Sequence, residues 1–368
     1  MSVLDLDDYP WDAVVPFRER AAAHPGGLVD LSVGSPVDPT PEIVRRALAE
    51  ATDAHAYPQT VGTPELREAI VSWYARRRGV DDLTTANVLP TIGSKEFVAL
   101  LPTLLGLGAG DVVVHPEIAY PTYEVGARVV GATPFRADDP ARWPEGTKLI
   151  WINSPGNPDG RTWTVDELAV AVRRARELGA VLASDECYAE LGWDGRWAAE
   201  PIPSILDPRV TGGSRANLLS VYSLSKQSNL AGYRAAFVAG CARLVDGLLA
   251  ARKHLGLMPP APVQHAMAVA LGDDAHVAAQ KELYRERRGL LRPALEAAGF
   301  RVERSEAGLY LWATEGRDAW ESMARLAAQG ILAGPGPFYG EAGNAHVRLA
   351  LTAPTERVGE AARRLSTV

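Results

Sequence analysis

The residues with the most chemical potential stand at the ends of short apolar runs. Leu149–Asn153 is followed by Ser154-Pro155-Gly156-Asn157-Pro158-Asp159-Gly160, and Val181–Asp185 by Glu186-Cys187-Tyr188. Leu218–Tyr222 leads into Ser223-Leu224-Ser225-Lys226, with Arg234 eight residues beyond the lysine. Upstream, Thr91-Ile92-Gly93-Ser94-Lys95-Glu96 turns into an apolar helix, and His346–Leu351 carries Arg348 inside a short strand. These types supply an amine nucleophile, a carboxylate, a phenol, hydroxyls and guanidinium groups. Each also has a plain structural reading. Asn-Pro and Asp-Gly are turn signals, an Asp at a strand end caps helices, and Gly-Ser before a helix is an ordinary N-cap. A lysine after a strand is commonly solvated, and an arginine in an alternating strand commonly faces water. Their joint order and spacing are much harder to obtain by accident.

The elements that must position them alternate. The β-branched runs Val112–His115, Leu149–Asn153, Val181–Asp185, Leu218–Tyr222 and Ala236–Ala239 read as strands. Between them Tyr123–Val130, Asp166–Leu178 and Leu244–Arg252 read as helices. Thr164-Val165-Asp166-Glu167 has the pattern of a capping box, and Gly179 stops that helix before the next strand. Such alternation implies a mostly parallel sheet covered by helices, and open sheets of this kind bind ligands beyond the carboxyl ends of their strands. The ends differ: helices are expected from Pro41 to Ala51 and from Pro64 to Arg78. After Gly256 come proline-rich segments, a long charged helix around 280–299, and strand-like pieces at Gly308–Ala313 and His346–Leu351. We expect an N-terminal segment (1–40) packed on a smaller α+β domain (256–368), with a large domain (41–255) between.

Composition narrows the classes. The chain has 368 residues, too many for one ordinary core, and its 47% hydrophobic content is that of a globular protein rather than a disordered one. A net charge of −7 with no basic block argues against nucleic acid as the main partner. Two cysteines, Cys187 and Cys241, cannot build a disulfide framework or a four-cysteine zinc site, and the histidines show no metal spacing, so no metal is expected. The acidic start Met1–Asp8 lacks the basic region of a signal peptide. The uncharged stretch 255–272, broken by Pro259, Pro260 and Pro262, reads as a loop and a helix rather than a membrane span. A cytoplasmic protein with no membrane partner is expected.

The set Asn157-Pro158, Asp185-x-x-Tyr188, Ser223-x-Ser225-Lys226, Arg234 and Arg348 resembles, over essentially the whole chain, the fold-type I pyridoxal-phosphate enzymes, and among them the class I/II aminotransferases. The resemblance implies a mostly parallel seven-stranded sheet between helices plus a smaller α+β domain. It implies pyridoxal 5'-phosphate bound through Lys226, whose amine then carries protons, and Asp185 paired with the pyridine nitrogen. Asn157 and Tyr188 would hydrogen-bond the phenolic oxygen, and Tyr120 would stack on the ring. Gly93, Ser94 and Lys95 at a helix start, with Ser223, Ser225 and Arg234, would hold the phosphate. Tyr57 would reach the phosphate of the other subunit, making a homodimer with a shared site. Arg348, with Asn157 and the backbone at Gly34, would hold the substrate carboxylate. The family pattern Asn-Pro-x-Asn-Pro-Thr-Gly is altered here, with Ser154 in place of the first Asn and Asp159 in place of Thr.

Several stretches resemble the actinobacterial succinyldiaminopimelate transaminases of lysine biosynthesis. They are Leu31–Pro39, Ser184–Tyr188 with Leu191-Gly192-Trp193, Arg252-Lys253-His254 with Pro260–Gln264, and Ser305–Trp312. That resemblance implies transfer from glutamate to N-succinyl-L-2-amino-6-oxopimelate, ping-pong through pyridoxamine phosphate, giving N-succinyl-L,L-diaminopimelate and 2-oxoglutarate. An aminotransferase of other substrate range in specialised metabolism, and a C–S lyase, remain the alternatives. A substrate with distal carboxylates needs a second cation; Lys95, Arg252, Lys253 and His254 are the candidates.

Overall fold

In a computed structural model describing residues 10–366, a two-residue strand β1 (Val29–Asp30) precedes the main sheet. The main sheet is built from β2 (Val88–Ile92), β3 (Val112–His115), β4 (Thr133–Arg136), β5 (Thr147–Asn153), β6 (Val181–Asp185), β7 (Leu218–Ser223) and β8 (Ala235–Gly240). The order across it is β2-β8-β7-β6-β5-β3-β4. Only β8 runs antiparallel to its neighbours. Met1–Asp8, read above for a missing signal, lies outside the described residues.

Both faces of the sheet are dry. Leu149 and Trp151 enter one core with Phe97, Leu101 and Leu248, whereas Ile150 and Ile152 enter the other with Ile70, Trp73 and Leu168. Successive residues point to opposite faces, so a strand covered on both sides reads as a near-continuous apolar run, as Leu149–Ile152 does. The helix Val165–Glu177 starts with the expected capping box, Thr164 accepting from the Glu167 N–H and Glu167 accepting from the Thr164 N–H. Gly179 follows it at φ +65°.

The expected strands are present, some one or two residues longer. Two more were not foreseen, β2 and β4, and they are the two edges of the sheet. Each contains a proline, Pro90 and Pro134; proline cannot donate to a ladder and is tolerated at edges, so the local pattern hides them. The helix expected over 64–78 is α-helical over Pro64–Trp73 and then widens to a π-helical turn, Tyr74–Arg78, ended by Gly79 at φ +65°.

The smaller sheet is antiparallel. It comprises β9 (Arg301–Glu303), β10 (Tyr310–Thr314), β12 (Gly334–Pro335) and β13 (His346–Ala350), ordered β12-β13-β10-β9. β11 (Ile331–Leu332) instead pairs in parallel with β1. Val29 and Leu31 share a core with Leu309, Leu311, Leu332, Val347 and Leu349. The long helix Ala275–Ala297 contributes Tyr284, Leu291 and Leu295 to the same core.

Candidate active site

The carboxyl ends of β2, β7, β6 and β5 lie side by side. Ile92 pairs with Ala235, Ser223 with Ala236, Asp185 with Val221, and Asn153 with Asp185. The residues that follow these ends therefore meet in one cleft, and across it stands Arg348 on β13 of the smaller sheet.

Lys226 lies on the one-turn helix Leu224–Gln227, whose start is capped by the Ser223 hydroxyl accepting from the Ser225 N–H at 3.1 Å. Tyr284 donates to the Lys226 carbonyl at 3.1 Å. The ammonium donates to the Gly34 carbonyl, across the cleft from its own strand. Burial, joined by the cations Arg348 and Arg234, holds the Lys226 pKa below its ordinary value, with Tyr310 and Cys187 opposing. A lysine so placed yields its free amine more readily than a solvated one.

Asp185 is buried at the end of β6 and accepts from the Tyr123 hydroxyl at 2.9 Å and the Cys187 N–H at 3.2 Å. Burial pushes its carboxyl up despite these hydrogen bonds. No basic side chain is among the partners recorded for it within the described residues, and a buried carboxylate in that condition demands a cationic partner. Cys187 is buried, and burial with the Asp185 charge pushes its thiol well up; it stays protonated and inert.

The phosphate candidates converge at the start of the helix Gly93–Leu104. First-turn N–H groups, here those of Ser94 and Lys95, have no intrahelical acceptor. Gly93 sits at φ +73°, and its N–H donates to the Arg234 carbonyl at 2.7 Å. A Cβ on Gly93 would lie 2.3 Å from Nη2 of Arg234, so glycine is what lets the guanidinium lie over the helix start. The Ser223 and Ser225 hydroxyls are 2.8 Å apart. Tyr120 follows β3; burial pushes its phenol up to about 12, and its ring stands edge-on to Tyr123 at 5.9 Å. The Lys95 ammonium is 6.0 Å from the Tyr120 ring centre.

Arg348 is buried, whereas an arginine in an alternating strand commonly faces water. It donates to Asn157 Oδ1 at 2.9 Å and to the Ser32 carbonyl at 2.7 Å, and its Nε has no partner. Its guanidinium lies 4.0 Å from the Tyr310 ring centre and 4.9 Å from that of Tyr339. Asn157 is itself fixed, its N–H donating to Asn153 Oδ1 at 2.7 Å. Gly34 has no room for a side chain, because a Cβ there would lie 2.1 Å from the Tyr310 hydroxyl. Tyr188 approaches the Tyr310 hydroxyl at 3.4 Å.

The two altered loop positions acquire a physical account. Ser154 accepts from the Trp163 N–H at 3.0 Å, closing the loop. Asp159 is buried, accepts from Arg304 Nη1 at 2.5 Å and from the Arg161 N–H at 3.2 Å, and its carbonyl accepts from the Ser305 N–H at 2.7 Å. The loop bearing Asn157 is thereby tied to the turn that leads into β10 and Tyr310. Among the distal-cation candidates, Arg252 is corrected: it is fully buried and forms two hydrogen bonds with Glu96, at 2.8 and 3.2 Å, so it serves the helix start and not a substrate. Lys253 and His254 are exposed beside it. Tyr57, expected to serve another subunit, is 97% exposed. Tyr123, Tyr310 and Tyr339 carried no assigned role in the sequence; Tyr310 stands in an apolar run that looks like core.

The architecture and the cleft define a fold-type I enzyme. The family described as aminotransferase class I and II matches residues 27–365, and the chain belongs to it; it is a pyridoxal-phosphate-dependent aminotransferase. It is 53% identical over 363 residues to the 4-dedimethylamino-4-oxo-anhydrotetracycline transaminase OxyQ of Streptomyces rimosus, covering 98% of this chain and 99% of that one. It is 54% identical over 362 residues to a "Probable aminotransferase" of Mycobacterium tuberculosis, covering 98% and 85%. A solved structure of a "probable N-succinyldiaminopimelate aminotransferase" from Thermus thermophilus superposes with a TM-score of 0.87 at 30% identity, covering 98% of this chain and all of that one (100%).

The cleft fits the cofactor. The buried, cation-seeking Asp185 suits a protonated pyridine nitrogen, and the Gly93–Arg234 cradle with its serine hydroxyls suits a phosphate. Among the described residues no helix is long and apolar enough to cross a membrane, and no cluster of His, Cys, Asp or Glu could hold a metal ion.

Proposed function

We propose that this aminotransferase takes an amino group from an α-amino acid, glutamate foremost, and delivers it to N-succinyl-L-2-amino-6-oxopimelate. The observation that carries the amino-acid reading is Arg348, buried, sandwiched by two tyrosines and joined to Asn157 on the far side of the cleft from Lys226. A buried guanidinium with an unpartnered nitrogen and no carboxylate among its recorded partners is built to receive one from outside.

Bound pyridoxal phosphate supplies the sink for the electrons left when the substrate Cα loses its proton. The chain's residues do the rest. The backbone N–H groups of Ser94 and Lys95, with Ser223, Ser225 and Arg234, would hold the phosphate. Asp185, steadied by Tyr123, keeps the pyridine nitrogen protonated. Asn157 and Tyr188 hydrogen-bond the phenolic oxygen. Arg348 grips the α-carboxylate, with the Gly34 backbone closing over the substrate, and so orients the Cα–H bond. Lys226 would carry the proton from the substrate Cα to the cofactor C4′. With the cofactor bound, the transfer would run as two half-reactions, one for each substrate. Lys95 is the cation we assign to a distal carboxylate.

Support for the succinylated acceptor comes from the 30%-identical Thermus structure of that name. A second reading, a cyclic ketone of specialised metabolism, is favoured by the 53%-identical Streptomyces transaminase. We further propose domain boundaries near 40 and 255, a cytoplasmic location, and a homodimer in which the exposed Tyr57 enters the partner's phosphate site. The test is spectroscopic. Glutamate should abolish the absorbance band of the lysine-linked cofactor, and 2-oxoglutarate should restore it. Running the second half-reaction backwards, with succinyldiaminopimelate as amino donor against other amines, then chooses the acceptor. A band indifferent to every amino donor, or pyruvate and ammonia released from cystathionine, would sink the reading in favour of a lyase.

A further inference from the structure

Tyr310 was assigned no task by the motifs, yet it touches Arg348, Gly34 and Tyr188 in the cleft. It sits at the start of β10, paired with Ala350 of β13, so two strands of the smaller sheet fix its backbone. Its ring carries the Arg348 guanidinium at 4.0 Å. Its hydroxyl packs on the α-carbon of Gly34, whose carbonyl receives the Lys226 ammonium, and stands 3.4 Å from the Tyr188 hydroxyl. We propose that Tyr310 is a positioning residue with two separable functions: its ring holds Arg348 in the plane that grips a carboxylate, and its hydroxyl, through Gly34 and Tyr188, sets the protonation of Lys226.

The chemistry of the surroundings supports the second function. Burial acts to raise the Tyr310 phenol, but Arg348, Lys226 and the hydrogen bond with Tyr188 outweigh it, so the phenol lies below its ordinary value. Tyr120, Tyr284 and Tyr339 also face it, and each is itself pushed up by burial. Among these groups Tyr310 is therefore the phenol best able to carry negative character beside Lys226. Tyr310 correspondingly favours the protonated form of Lys226, against burial and the charge of Arg348.

The inference rests on Lys226 and Arg348 having the roles given above; their failure would show in the unaltered enzyme as a missing lysine-linked band or indifference to amino donors. Given that band, Tyr310→Phe keeps the ring and removes the hydroxyl. It should lower kcat about tenfold with KM for glutamate unchanged within about twofold, and move the pH midpoint of the band downward by at least about half a unit. Tyr310→Leu removes both and should in addition raise KM for glutamate several-fold, while Tyr339→Phe, which also keeps its ring on Arg348, should leave the midpoint in place. Tyr310→Phe with unaltered kcat and midpoint, or with a loss in KM alone, overturns the proposal. Circular dichroism and retained cofactor stoichiometry exclude misfolding as the source of any change.

Discussion

Replacing Gly93 by alanine tests how the phosphate end of the site is built. Two separate costs can be worked out. Gly93 has φ +73°, where an L side chain costs roughly 1–2 kcal/mol, and that cost falls on folding. The new Cβ would also stand 2.3 Å from Nη2 and 2.7 Å from Cζ of Arg234. Those atoms end a flexible side chain, so the guanidinium moves and the backbone stays. If Arg234 holds the phosphate, the displaced guanidinium forfeits a charge-assisted hydrogen bond of roughly 1.5–3 kcal/mol. That is an affinity for pyridoxal phosphate about 10- to 150-fold weaker. The assay is titration of the apoenzyme with cofactor, followed by absorbance, beside thermal unfolding of the apoenzyme. Arg234→Ala alone should weaken binding by a similar factor. The double variant should bind no worse than Arg234→Ala, since the alanine acts only through a guanidinium that is no longer there. Additive losses, or a Gly93→Ala protein with unchanged affinity, would refute the cradle.

Three other outcomes follow from the same geometry. The raised Asp185 pKa means that the folded apoenzyme holds this proton more tightly than the unfolded chain, so its contribution to stability falls as pH rises from the ordinary carboxylate range through the folded pKa. Asp185→Asn should therefore raise the apoenzyme melting temperature at neutral pH while weakening cofactor binding; a variant less stable as apoenzyme at neutral pH and equal at low pH contradicts this. Breaking the Arg252–Glu96 pair with Arg252→Ala should cost less in denaturant unfolding than the about 3–5 kcal/mol of a fully buried pair, because Arg252 is buried but Glu96 is part-exposed and also accepts from the Ile92 N–H; a loss confined to succinylated substrates, with stability intact, would restore Arg252 as a substrate cation. Lys95→Ala should raise KM for succinyldiaminopimelate and for glutamate, both of which carry a distal carboxylate, more than for alanine if Lys95 meets that carboxylate, and an equal change for all three shows a phosphate contact alone.

The interior of the main sheet was legible because its strands carry near-continuous apolar runs and end where chemistry begins. β6 runs Val181-Leu182-Ala183-Ser184-Asp185, and its last residue is both the end of the strand and a wall of the cleft. The edges were not legible, since Pro90 and Pro134 erase the local signal, and only pairing with β8 and β3 makes those segments strands. The same division holds in the site. Lys226, Asp185, Asn157 and Arg234 announce themselves by polar type at a strand end. Tyr310 does not, because an aromatic in Leu309-Tyr310-Leu311-Trp312 has the pattern of a core strand, and the core does take most of it. What distinguishes Tyr310 is its distance to Arg348, which is set by pairing between β10 and β13 across 38 residues of sequence (348 − 310). Asp159 is the converse case. Its type was noticed and its purpose was not, because the partner that explains it, Arg304, is 145 residues away in the chain. A departure from a family pattern becomes interpretable once its partner is known. Here the partner ties the Asn157 loop to the turn before Tyr310, so the residue that differs from the pattern and the tyrosine no motif contains belong to one linkage between the two sheets.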